Sequence, residues 1–200
     1  MGKAISVLAV GALLGALFAG TASAGAGVLV GTDGNDRMVG TDAAAGDTIA
    51  ALGGRDSVDA RGGDDLVLGG PGDDGGMDGP ALFGDSPDHR ANSSLDGDDT
   101  LKGGPGSDDL HGFGGDDLLA GGPGGDRIFA GEDRFDPRGP AVPTENPGED
   151  AVRGGAGNDF VFAADGRADR IDCGGGQKDS AHFDRVLDSV RDCEIKNRGT

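Results

Sequence analysis

Aspartates recur at a fixed spacing through most of the chain, and carboxylates held at regular intervals are candidate ligands for a hard metal cation. In nine stretches of nine residues the fourth residue is glycine and the sixth is aspartate, as in GGPGGDRIF (121–129), GGPGSDDLH (103–111) and GGAGNDFVF (154–162). The eighth residue is aliphatic in every stretch except GGPGDDGGM (69–77), where Gly76 takes that place. With two further aspartates upstream, the predicted metal ligands are Asp36, Asp47, Asp56, Asp65, Asp74, Asp99, Asp108, Asp117, Asp126, Asp150 and Asp159.

The ligand types narrow the identity of the cation. The aspartates supply oxygen ligands only, and no zinc-binding or catalytic pattern of histidine and cysteine accompanies them. His89, His111 and His182 are scattered, and we expect them at the surface. Oxygen ligands on a flexible backbone are typical of calcium rather than of zinc or copper. The sequence therefore predicts several bound Ca²⁺ ions.

Each nine-residue unit has the composition of a turn followed by a short strand. The glycine-rich first five residues permit a tight turn, and residues seven to nine are extended with only the eighth side chain inward. Turn and strand in alternation predict an all-β fold, a parallel β-solenoid with two units per coil. Stacked strands lie about 4.8 Å apart, so equivalent carboxylates would repel each other unless a cation lay between them. Eighteen-residue pairs of this kind are Asp56/Asp74, Asp99/Asp117 and Asp108/Asp126.

The repeated pattern resembles that of the RTX, or hemolysin-type calcium-binding, family, whose unit is G-G-x-G-x-D-x-U-x with U a large aliphatic residue. The stretches GGPGGDRIF, GGPGSDDLH and GGAGNDFVF match this unit at every defined position. The resemblance implies a parallel β-roll (a right-handed β-solenoid) of nonapeptide repeats, with calcium held between turns by aspartates and by turn carbonyl groups. The turns expected to supply carbonyl groups contain Gly104, Gly106, Gly122, Gly124, Gly155 and Gly157.

Composition and the N-terminus point to an exported protein. The 200 residues include 32 Asp and only 4 Glu, and the formal net charge of −19 argues against a nucleic-acid partner. Residues 1–24 follow the order of a cleaved secretory signal peptide, with Lys3, an apolar stretch from Ile5 to Phe18, and Ala22-Ser23-Ala24 before the cleavage point. The apolar stretch is shorter than the ~20 residues that cross a bilayer. We therefore predict a secreted, extracellular protein with no membrane span after signal cleavage.

The chain has two cysteines, Cys173 and Cys193. In an exported protein such a pair favours a disulfide over two free thiols. The surrounding sequence resembles the tail of some exported bacterial members of the same family. A bridge there would close residues 173–200 as a C-terminal cap over the last coil.

The repeat spacing also predicts where the roll is interrupted. We place the calcium-binding β-roll at residues 25–172, with two inserted loops near 76–94 and 130–146, where the nine-residue phase breaks. If both inserts are simple loops, they leave the same edge two coils apart and form one composite surface. The alternative is that ALFGDS (81–86) conceals a degenerate repeat, which would change this parity.

Repeats, inserts and termini account for the chain and leave no room for a separate catalytic domain, so we predict that the protein is not an enzyme. The expected function is calcium ion binding with calcium-dependent folding, in an extracellular structural, adhesive or matrix role. Cell-surface or matrix components bound through the inserted loops are the expected further partners. The alternative is a non-catalytic module of a secreted hydrolase or toxin system. Family toxins usually carry an uncleaved C-terminal export signal, so the N-terminal signal weakens the kinship with toxins.

Overall fold

A computed structural model describes residues 26–41, 45–74, 81–85, 97–131 and 148–198. Over these residues the chain forms short β-strands joined by turns, and none of them is helical. The strands are β1 (Val28–Val30), β2 (Arg37–Thr41), β3 (Thr48–Ala50), β4 (Ser57–Arg61), β5 (Leu66–Leu68), β6 (Leu82–Asp85), β7 (Thr100–Lys102), β8 (Asp109–His111), β9 (Leu118–Pro123), β10 (Arg127–Phe129), β11 (Ala151–Ala156), β12 (Phe160–Ala163), β13 (Arg170–Gly175), β14 (Ser180–Phe183), β15 (Ser189–Arg191) and β16 (Ile195–Arg198).

The strands build two parallel sheets of eight. The odd-numbered strands pair in chain order in one sheet and the even-numbered strands pair in the other, so each coil contributes one strand to each sheet. Every observed pairing is parallel; Leu101 pairs with Leu119, for example, one coil later. The predicted all-β parallel roll with two repeats per coil is confirmed. We call the turns from an odd strand to the next even strand the first edge, and the turns from an even strand to the next odd strand the second edge.

The core is a thin layer between the two sheets, filled by one inward side chain near the start of most strands. The repeat predicts this arrangement, because in an extended three-residue strand the central side chain points to the opposite face from its two neighbours. Leu118 is 37% exposed, whereas Leu119 is fully buried. The valine, leucine and isoleucine residues that are exposed by 2% or less are Ile49, Val58, Val67, Leu82, Leu101, Leu110, Leu119, Ile128, Val152, Val161 and Ile171.

Strand β6 lies inside the region predicted as the first insert, so treating all of 76–94 as a loop is wrong. Leu82 pairs with Val58 in the preceding coil and with Leu110 in the following one. It fills the inward position that the repeat spacing assigns to Gly76, six residues earlier. ALFGDS therefore holds the displaced strand of the repeat that contains Asp74, and no extra repeat is added.

The rest of the predicted inserts, and the predicted signal peptide of residues 1–24, lie outside the described residues. The strands on either side still fix the edge at which each insert enters the roll. The part of the predicted first insert that precedes β6 connects β5 to β6 and so belongs to the first edge. Segment 86–96 connects β6 to β7 and segment 132–147 connects β10 to β11, so these two segments join the second edge, two coils apart.

A disulfide joins Cys173 to Cys193, with their Cα atoms 5.2 Å apart. Both half-cystines belong to the buried core cluster. The predicted boundary between roll and cap, at residue 172, lies within β13, and β14 to β16 continue both sheets beyond it. The bridge thus fastens the final coil to the one before it. In the described part of the chain, no helix is long and apolar enough to cross a membrane.

Candidate metal centre

The sixth-position aspartates stack in two rows, one along each edge of the roll. In each step of a row, Oδ1 of one aspartate accepts the backbone N–H of the equivalent aspartate in the preceding coil, at 2.6–3.0 Å. The first-edge row is Asp36, Asp56, Asp74, Asp108, Asp126, Asp159 and Asp179, and the second-edge row is Asp47, Asp65, Asp99, Asp117, Asp150, Asp169 and Asp188. All eleven predicted ligands lie in these rows, and the three predicted pairs are neighbours within them.

In most of these carboxylates of the described roll, the second oxygen, Oδ2, is buried and accepts no hydrogen bond. Within the described residues, Oδ2 has no hydrogen-bond partner in Asp56, Asp65, Asp74, Asp99, Asp108, Asp117, Asp126, Asp150, Asp159, Asp169 and Asp179. Each of these side chains is exposed by 2% or less. An uncompensated buried carboxylate is costly, and native folds pair such groups or give them a metal. The rows therefore fit a cation with oxygen ligands.

Burial disfavours the charged form of these carboxyl groups. It raises the pKa of Asp99 to about 8, although the backbone N–H of Asp65 favours the anion; the neighbouring carboxylates Asp65 and Asp64 raise it further. Burial likewise raises the pKa of Asp108 and that of Asp126 to about 7, and here too nearby aspartates add to the effect. Burial therefore favours the neutral form of these carboxyl groups unless positive charge is supplied.

The first turn residue leaves room for the carboxylate. A β-carbon on Gly121 would collide with Oδ2 of Asp126, and one on Gly112 would collide with Oδ2 of Asp117. At Gly121 and Gly112 a larger residue would therefore displace the oxygen that lacks a partner. The close approach is specific to these turns, because two other repeats have Ala51 and Ala60 at the first position.

The glycines predicted to lie in the turns whose carbonyl groups bind calcium all occur at the first edge, where the turns of successive coils stack. A β-carbon on Gly122 would collide with the carbonyl oxygen of Gly104, and one on Gly157 would collide with that of Gly124. The backbones are thus in direct contact between coils, which only glycine permits. All six have a positive φ, between 118° and 158°: Gly104, Gly106, Gly122, Gly124, Gly155 and Gly157.

The predicted ligand set ends at Asp159, although Asp169 and Asp179 continue the pattern at a looser spacing of ten residues. Asp179 continues the first-edge row, which ends where Oε2 of Glu194 accepts the N–H of Asp179 at 2.9 Å. Asp169 and Asp188 continue the second-edge row. Their spacing of nine or ten residues was the available signal, although the glycines of the unit are lost there. His111 also differs from expectation: it is buried, stacks on Phe129 with ring centroids 4.7 Å apart, and places Nε2 3.2 Å from Asp109 Oδ1.

A parallel β-roll with two rows of buried carboxylates defines a class of repeat proteins stabilised by a cation. A family model, the RTX calcium-binding nonapeptide repeat, matches the chain in four copies at residues 21–44, 43–75, 94–134 and 146–177, which is more than half of its length. The chain belongs to this family, and calcium is its cofactor. No curated protein and no solved structure matches the chain.

Proposed function

We propose that this protein is an exported calcium-binding β-roll that folds when calcium binds and that serves outside the cell without catalysing a reaction. The eleven aspartates predicted from the repeat are the proposed side-chain ligands. Nine of them would bind through an unpartnered Oδ2, whereas Oδ2 of Asp36 and Oδ2 of Asp47 accept the N–H groups of Thr32 and Thr41. One observation carries the proposal: along both edges of the described roll, buried Oδ2 atoms lie in rows without hydrogen-bond partners. When bound, calcium would supply the positive charge that balances these buried carboxylates.

Dependence on calcium follows from the balance of forces in the coil. Each three-residue strand buries essentially one aliphatic side chain, so the hydrophobic contribution per ordered residue is small. Each coil also stacks two more carboxylates on those of the previous coil, and the formal net charge is −19. Without a cation, desolvation and repulsion of these groups oppose folding. Binding that occurs only in the folded state stabilises it by mass action.

Export is supported by two features of the chain. The predicted signal peptide at residues 1–24 would direct the chain out of the cell. The Cys173–Cys193 disulfide fits an oxidising compartment, because cytosolic thiols are generally kept reduced. Calcium-dependent folding would then keep the chain unfolded where calcium is scarce and allow the roll to form where calcium is abundant.

A structural, adhesive or matrix role is the proposed use of the folded roll, with the two inserted segments 86–96 and 132–147 at the second edge as the contact surface. The support is that both segments join the same edge two coils apart. A variant in which segments 86–96 and 132–147 are replaced by short glycine-serine linkers would keep its calcium-dependent β spectrum and lose adsorption to a cell or matrix surface. Undiminished adsorption would contradict the role of the inserts.

Circular dichroism of the chain without its first 24 residues tests calcium-dependent folding. In calcium-depleted buffer at pH 8 the spectrum should be that of an unfolded chain, and added calcium should produce a β spectrum. Magnesium at the same ionic strength is the matched control and should produce far less, because it demands a compact octahedral shell and keeps its water. A β spectrum that persists unchanged in excess chelator would refute the proposal.

A further inference from the structure

Three carboxylates meet at the second edge near the C-terminal end of the roll. One carboxylate oxygen from each of Asp150, Asp165 and Asp169 lies within 4.8 Å of the other two. Across the residues that the structure describes, this is the only group of three acidic, histidine or cysteine side chains that close together. Asp150 precedes β11 and Asp169 precedes β13, so the group lies between two successive coils.

Asp165 does not belong to the repeat pattern. It is the second residue of ADGRADRID (164–172), the position occupied by Gly122 in GGPGGDRIF. Its Oδ2 lies against Gly131 in the preceding second-edge turn, where a β-carbon would collide with it. The four second-edge units before it have Arg61, Leu95, Phe113 and Asn146 at this position, so Asp165 supplies a carboxylate that they lack.

The hydrogen bonds leave one oxygen of each carboxylate available. Oδ1 of Asp165 accepts the N–H of Arg167, Oδ1 of Asp169 accepts that of Asp150, and Oδ1 of Asp150 accepts that of Asp117, each at 2.9 Å. The three Oδ2 atoms are buried and have no hydrogen-bond partner in the described part of the chain. Asp150 and Asp169 are each exposed by only 1%.

Asp188, the next aspartate in the second-edge row, accepts hydrogen bonds through both of its carboxylate oxygens. Its Oδ1 accepts the backbone N–H of Asp169 and its Oδ2 accepts that of Asp184. Oδ2 of Asp184 in turn accepts the N–H of Gly166 at 2.7 Å. These two acidic groups are therefore engaged by the backbone, and the three unengaged oxygens belong to Asp150, Asp165 and Asp169.

We propose that Asp150, Asp165 and Asp169 form a tricarboxylate calcium site, distinct from the sites of the regular repeat because Asp165 adds a third side-chain ligand. The proposal rests on the calcium binding proposed above for the aspartate rows. Calcium affinity rises with the number of charged ligands and with the rigidity of the site. Three carboxylates in two stacked turns, beside the disulfide-linked coil, therefore hold one ion more tightly than two neighbouring aspartates of a row do.

The substitution Asp165→Asn tests the site directly. Asparagine keeps an Oδ1 acceptor for the N–H of Arg167 and removes only the charge. In competition with a chromophoric calcium chelator, the wild-type chain should retain one ion at free calcium concentrations where D165N retains none. At saturating calcium, D165N should have the β spectrum of the wild type. Asp172→Asn is the matched control: it removes the same charge from the same coil, but Asp172 pairs with Arg191 on the outer face.

Equal retention of the tight ion by wild type, D165N and D172N would overturn this inference while leaving calcium-dependent folding intact. A wild-type chain that binds no calcium would instead refute the proposed function. If D165N fails to fold, hydrogen exchange of the wild type decides. Protection of the amides of residues 166–169 should appear at lower calcium than protection of the first-edge turns, and simultaneous protection of all turns would contradict a tighter site.

Discussion

The carboxylate of Asp126 joins two coils of the roll, because its Oδ1 accepts the backbone N–H of Asp108 at 3.0 Å. Its Oδ2 is buried beside Gly121 and, within the described residues, has no hydrogen-bond partner. One side chain therefore both aligns the backbones of neighbouring coils and carries a charge that the fold alone does not satisfy. This division of roles between the two oxygens makes the effect of a charge-removing substitution depend on calcium.

Replacing Asp126 by asparagine should change stability in opposite directions with and without calcium. In calcium we expect the free energy of unfolding to fall by about 1–3 kcal/mol, the usual cost of losing one partner of a buried polar contact. In calcium-depleted buffer, D126N should populate more β structure than the wild type, because one unfavourable buried charge is gone. A denaturant titration in saturating calcium measures the first effect, and the β content by circular dichroism in calcium-depleted buffer measures the second. Asp192→Asn, at an exposed position, is the control; destabilisation of D126N under both conditions would contradict the assignment.

Replacing Gly121 by alanine should weaken the calcium-loaded fold, since the new β-carbon would collide with Oδ2 of Asp126. Forcing an extra methyl group into a packed site costs about 1–3 kcal/mol. Gly175→Ala is the matched control, because the nearest atom to its β-carbon is the carbonyl oxygen of Gly155 at 3.9 Å. Thermal melts in saturating calcium compare the two variants. Equal melting temperatures for G121A and G175A would show that the space beside Asp126 is not needed.

Alanine substitutions at two adjacent leucines test which face of strand β9 points into the core. Leu119→Ala empties a fully buried position and should lower the free energy of unfolding in calcium by about 2–5 kcal/mol. Leu118→Ala, on the outer face with 37% exposure, should change it by less than about 1 kcal/mol. The measurement is chemical unfolding of both variants in saturating calcium. A larger loss for L118A than for L119A would mean that the strand register is wrong.

Without calcium, the folded roll should become less stable as the pH rises, whereas most proteins become less stable as the pH falls. Burial raises the pKa of Asp65 and Asp150 to about 7 and that of Asp169 to about 8, from an ordinary value of 3.8. The folded state therefore binds more protons than the unfolded chain over this range, and its stability falls as pH rises from about 4 to about 8. Melts in resin-depleted buffer should show residual β structure near pH 4.5 that disappears by pH 8; β structure that increases with pH would contradict these shifts.

The sequence alone predicted the fold and most of the aspartate rows because the residues of each repeat unit determine its turn and its strand. An aspartate followed two residues later by an aliphatic side chain fixes both the turn and the inward face, as in Asp126 and Ile128. The displaced strand at Leu82 was predicted only as an alternative, a degenerate repeat in ALFGDS, because the chain there departs from the nine-residue phase before resuming the same row. Asp165 was missed for a related reason: it lies outside the aspartate–aliphatic pattern, and only the stacking of its turn on the preceding one brings it near Asp150.

If calcium drives folding, β structure should increase with each ion that binds. Isothermal titration calorimetry and circular dichroism, run on the same calcium-depleted sample at pH 8, compare the two directly. We predict that the β spectrum grows in step with the heat of binding, from the tightest ion to the last, with more than one ion bound per chain. A full β spectrum before any calcium is added, with binding heat that leaves the spectrum unchanged, would contradict the account.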